Sequence, residues 1–179
     1  MRQSLILILI LVSAMSGNTA NATKRKTMKV YLSFDPVKTN IKMRIYKLPI
    51  EKALDIGEIT YNSMAEKMPA YQSLDSGFEL KKGAVQAFLM VAENPTNEPI
   101  YFFGVAHTVV PEQAGVGFKL GCLCNNHIFD IPPKSRWMRV GSLTLEQYAQ
   151  GTEVRFVHKI VGMTKETIKE KGLFVNGVK

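Results

Sequence analysis

Two thiols lie two residues apart in Gly121-Cys122-Leu123-Cys124, and they are the only cysteines in the 179-residue chain. The segment leading into them reads as β-strand. In an extended chain, side chains at i and i+2 leave the same face, so the two sulfurs stand side by side. Their Cα atoms are then at the far end of the range a disulfide can bridge and their Cβ vectors run parallel, which disfavours a bond between them. Neighbouring thiolates make a soft site that selects cuprous copper, zinc or iron–sulfur over magnesium or calcium. Zinc and iron–sulfur usually want four protein ligands, whereas two thiolates suit copper(I).

The N-terminus indicates where such a site works. Arg2 precedes the apolar run Leu5-Ile6-Leu7-Ile8-Leu9-Ile10-Leu11-Val12, which fades through Ser13-Ala14-Met15 into Ala20-Asn21-Ala22. This is the pattern of a secretory signal over residues 1–22 with a small-x-small cleavage site. A run of about 11 residues is short of the roughly 20 that a membrane-spanning helix needs. The expectation is an exported protein, periplasmic or on the periplasmic side of a membrane, or its intermembrane-space equivalent in a mitochondrion. An uncleaved anchor is the alternative.

Composition narrows the classes. The chain carries a net charge of +8, which becomes +7 without residues 1–22, since these hold Arg2 and no acidic residue. Apart from Lys24-Arg25-Lys26 the positive charge is scattered. It suits solubility, association with an anionic membrane surface or an acidic partner, and an exported site argues against nucleic acid. About 157 residues after the signal bury a genuine core without disulfide staples. An exported chain with two cysteines this close is not using them as scaffold.

The elements that must position the thiols are mostly strands. Residues 28–34, 41–46, 57–62, 78–80, 84–93, 100–110, 116–124, 136–145 and 153–161 are rich in β-branched and aromatic residues. Asp35-Pro36, Lys81-Lys82-Gly83, Asn94-Pro95-Thr96-Asn97 and Pro132-Pro133 punctuate them. Many short strands at this spacing predict an all-β sandwich. Residues 50–55 are a short helix or a loop, and 164–171 a helix in a polar tail over 163–179.

One stretch resembles a known family. Asn94-Pro95-Thr96-Asn97-Glu98-Pro99-Ile100, Gly104-Val105-Ala106, Pro111-Glu112-Gln113-Ala114-Gly115 and Phe118, leading into Cys122-Leu123-Cys124, resemble the CtaG family of copper-delivery assembly factors for cytochrome c oxidase. The family's C-F-C-F motif is followed by a proline turn and by a methionine that opens the next strand. Pro132 and Met138 stand at those spacings. Met68-Pro69 and Phe78-Glu79-Leu80-Lys81-Lys82-Gly83 resemble its upstream segments, so the likeness covers roughly 57–140. Leu123 and Asn125 replace the two aromatics of the motif, and Ile50 stands where the family has a further cysteine, so the chain resembles a diverged member. The resemblance implies an immunoglobulin-like β-sandwich over 57–162, with 23–56 as an N-terminal extension of uncertain structure. It also implies copper(I) held by the cysteine pair, often across a homodimer, and an acceptor that is a haem–copper oxidase subunit.

The other ligand candidates rank below the cysteines. Met138 is drawn in by its spacing, as a thioether donor or a guard of the site. His127 follows the motif by three residues and reaches it if Asn125-Asn126 makes a turn. His107 faces either the site or the core, and His158 reads as structural. Trp137 reads as a core or interface aromatic.

No catalytic constellation stands out: there is no H-E-x-x-H, no Ser-His-Asp pattern and no phosphate-binding glycine loop. The sequence therefore predicts a metallochaperone rather than an enzyme. The alternatives are a metal-free interaction module on a membrane complex and a thiol-redox partner. The latter is disfavoured because such enzymes set a cysteine at a helix N-terminus.

Overall fold

The computed structural model describes residues 27–52, 56–123, 127–173 and 175–176. The expected signal segment and Cys124 lie outside the described residues. Among the described residues twelve strands form: β1 (Thr27–Val37), β2 (Met43–Leu48), β3 (Ile59–Ser63), β4 (Phe78–Lys81), β5 (Val85–Asn94), β6 (Ile100–Gly104), β7 (Thr108–Val110), β8 (Phe118–Gly121), β9 (Ile128–Ile131), β10 (Ser135–Leu145), β11 (Glu153–Met163) and β12 (Val175–Asn176). A short helix α1 (Lys165–Glu170) follows the last long strand, capped by the Thr164 hydroxyl, which accepts from the Thr167 N–H.

The strands make two sheets that pack face to face, the all-β sandwich the sequence predicts. The first runs β12-β9-β6-β11-β1-β4 with β7 also on β11, and the second β2-β5-β10-β3 with β8 also on β10. The long central strands show why they pair this way. Along β10 the residues Trp137, Arg139, Gly141, Leu143 and Leu145 are buried in strict alternation, so one face turns into the sandwich and the other away from it. Val154, Phe156, His158 and Ile160 do the same along β11.

The expected boundary at residue 57 shifts. Residues assigned to an extension of uncertain structure supply β1, which pairs in parallel with β11 over nine residue pairs, and β2, which pairs with β5. Met28, Val30 and Leu32 of β1 are core residues. They alternate inward, and β1 covers the edge of β11 with which it pairs. The short strand β9, Ile128–Ile131, was not expected from the sequence; its buried residues Phe129 and Ile131 join the core with Phe102 and Trp137. Trp137 is a core aromatic, edge-on to Phe102 and Phe129.

A clasp joins the two sheets at one edge. The Tyr61 hydroxyl on β3 donates to Asp130 Oδ1 on β9 at 3.1 Å. Burial, with the Asp130 carboxylate beside it, pushes the phenol above its usual range. Because the folded-state pKa is raised, the clasp's contribution is fully present below the ordinary phenol value of about 10 and is lost as pH rises through the raised one. We therefore expect Tyr61→Phe to be less stable than the wild type by about 1 kcal/mol or less at pH 7. The difference should shrink in denaturant titrations repeated above about pH 10.

Candidate metal centre

Cys122 follows β8 directly, at the point where the chain leaves the second sheet. Its Sγ lies 3.0 Å from Nε2 of His158 and 4.0 Å from Nδ1 of His107. One ligand atom from each of the three residues falls within 4.8 Å of the others. The imidazole rings of His107 and His158 are 5.2 Å apart between centroids. These three residues span 51 positions of sequence from His107 to His158, so the fold, not local spacing, assembles them.

His158 occupies an inward position of β11, between Phe156 and Ile160, where an aliphatic residue would otherwise pack. It is 1% exposed and stacks on Phe34 of β1. Its Nδ1 is buried without a hydrogen-bond partner among the described residues. A buried imidazole with one sulfur contact and an unsatisfied nitrogen is under-provided with polar partners, and a bound ion is one remedy.

His107 reaches the same place through a bulge. Ile160 pairs with Gly104, but Val157 pairs with Thr108, so residues 105–107 answer only 158–159 on the neighbouring strand. The extra residue shifts the inward alternation from Phe102 and Gly104 to His107 and Val109. A bulge of this kind bends its strand and re-aims a side chain. His107 ends edge-on to Phe156 and partly exposed, as Cys122 is.

Leu123 fixes the third donor. It is fully buried in the core, and a Cβ on Gly104 would lie 2.7 Å from the Leu123 Cβ. Only glycine at 104 lets the Cys122-Leu123 turn settle against β6. Replacing Gly104 by alanine should force Leu123, and with it Cys122, to shift. We expect a stability loss of about 1–3 kcal/mol in urea titrations and weaker metal binding in the same variant.

The separations suit an ion. With metal–sulfur bonds of about 2.3 Å and metal–nitrogen bonds of about 2.0–2.1 Å, ligand angles between tetrahedral and trigonal place S and N roughly 3.5–3.8 Å apart. The observed 3.0 and 4.0 Å fall on either side of that range, and all three ligand atoms lie within 4.8 Å of one another. One thiolate and two imidazoles form a borderline-soft set that fits copper or zinc.

The other predicted donors lie elsewhere. Met138 sits on the outward face of β10, between the inward Trp137 and Arg139, in a surface groove with Met68, Tyr71, Leu89 and Val140. The sheet itself separates it from the three donors, so its sequence spacing from Cys122 does not become proximity. Met138→Leu should leave metal stoichiometry unchanged when bound metal is counted per chain. His127 is exposed just before β9 and is not one of the three.

The model of a domain of unknown function, DUF8709, matches residues 28–163. The chain belongs to that family. No curated protein and no solved structure matches the chain. The DUF8709 match runs from the second residue of β1 to the last of β11, so the family unit spans both sheets apart from β12 and contains all three donors.

Proposed function

We propose that the protein is an exported copper-binding metallochaperone. Cuprous ion is held by the Cys122 thiolate with the imidazoles of His107 and His158, Cys124 offers a second thiolate two residues on, and the ion passes to an acceptor protein. The observation that carries the reading is the convergence of one sulfur and two ring nitrogens, one ring orphaned and buried, on a single point of the sandwich. The sequence likeness to copper-delivery factors supports copper over other soft metals and a haem–copper oxidase subunit as the acceptor. The leader-like N-terminus supports export, and no helix among the described residues is long and apolar enough to cross a membrane.

Low coordination suits delivery. An ion with three donors or fewer can accept an incoming ligand before losing its own, so transfer needs no free ion. The half-exposed His107 marks the side from which an acceptor's ligand enters.

The test is a competition. The reduced protein is loaded anaerobically with cuprous ion or with zinc, challenged with a graded cuprous chelator, and assayed for bound metal. Retention of copper(I) against chelator, with zinc displaced by copper, is the expected result. Tight zinc that copper does not displace would replace the reading with a zinc site, and loss of both ions would leave a metal-free interaction module.

A further inference from the structure

The sequence points to two adjacent thiolates, a set that stabilises only the cuprous state. Cupric ion meeting such a pair oxidises it: two cupric ions take one electron from each of two thiolates, a disulfide forms, and two cuprous ions result. Among the described residues the structure adds two nitrogen donors to that sulfur chemistry: the Cys122 thiolate stands with the imidazoles of His107 and His158, and imidazoles serve cupric and cuprous copper alike.

We propose that the His107–Cys122–His158 centre also accepts cupric copper, keeps its thiolate intact, and allows the ion to be reduced in place before delivery. This rests on the copper reading above. It gives the protein a second activity, the conversion of copper from the form in which it circulates in an oxidising compartment to the form a thiolate site hands on.

Three features support it. A trigonal set of two imidazoles and one thiolate is the arrangement in which copper cycles between its two states. The donors sit on a rigid frame, since His107 and His158 face each other across paired strands and the turn carrying Cys122 is wedged by Leu123 against Gly104. Little has to move when the charge on the ion changes. Finally, Phe34 stacked on His158 and Phe156 edge-on to His107 form an apolar wall. It limits the water ligands that a cupric ion would otherwise gather, and His107 offers the half-exposed edge through which an electron enters.

The step is a one-electron transfer. A small-molecule donor of the ascorbate class gives up one electron and a proton to become its radical, cupric ion becomes cuprous, and the Cys122 sulfur remains bound throughout. No bond at the metal has to break.

The full-length chain, with both thiols reduced, is titrated anaerobically with cupric ion. The expected result is an intense visible thiolate-to-copper absorption that saturates at one ion per chain, with two thiols still titratable after denaturation. Ascorbate should bleach the colour while copper stays with the protein through gel filtration. Cys122→Ser should lose the band. A protein that binds cuprous ion but gives no such band, or in which cupric ion converts the two thiols into a disulfide, overturns the inference and leaves the chaperone reading standing. A protein that retains neither ion overturns both.

Discussion

Cys122→Ser should abolish copper retention: about one cuprous ion per wild-type chain after gel filtration, and none in the variant. Serine keeps the size of the side chain but offers a hard, protonated oxygen in place of a soft thiolate, so the substitution removes the donor without disturbing Leu123 or the turn that carries it. His158→Ala should weaken binding by more than the roughly 10–100-fold that follows loss of an outer-shell partner, since it deletes a donor. His158 also stacks on Phe34 inside the core, so His158→Gln provides a polar side chain of similar size in case alanine leaves a damaging void. Chelator competition gives the affinities, and a thermal melt on each variant separates loss of the site from loss of the fold. Unchanged affinity in Cys122→Ser would show that the metal lies elsewhere.

The second large effect is on stability. Asn94, at the end of β5, is fully buried, and its amide is saturated. The Nδ2 group donates to the carbonyls of Glu98, Ile131 and Pro132, and Oδ1 accepts from the Thr96 N–H and hydroxyl. One side chain thereby holds the turn between β5 and β6 and ties it to the end of β9 in the opposite sheet. Asn94→Ala strands several of these groups at once. At about 1–3 kcal/mol for a buried polar group left unpaired, the expected loss is about 3–4 kcal/mol. That corresponds to a drop of roughly 10 °C in Tm for a domain of this size. Metal stoichiometry should be unchanged at temperatures where the variant is folded, because Asn94 belongs to no element that carries a donor.

Much of the sandwich was legible. The alternation in β10 and β11 and the proline and glycine turns gave most strands, and the buried Asn94 lies in the very Asn-Pro-Thr-Asn stretch that marks a turn in the sequence. What could not be seen was membership: β1 reads as a strand, but only its parallel pairing with β11, well over a hundred residues away, makes it part of the core. The centre was legible in part. Cys122 announced itself by type and spacing. Met138 could have been set aside, because a fully buried Trp137 forces its neighbour to the other face. His158 left a fainter trace, a histidine at an inward position in the run Val154, Phe156, His158, Ile160. His107 was a candidate by residue type alone: strict alternation from the inward Phe102 and Gly104 points it outward, and the bulge that reverses this is a tertiary event without a local signature.

The pairing of β1 with β11 also sets an order of assembly. Phe34, which covers His158, comes from the first strand of the sandwich, and His158 itself from its last long one. A chain still being made holds Phe34, His107 and Cys122 but not His158, the final donor, nor the strand on which Phe34 comes to lie. Contacts that span so much of the sequence form late and slowly. An ion that uses all three donors finds them together only in the finished fold.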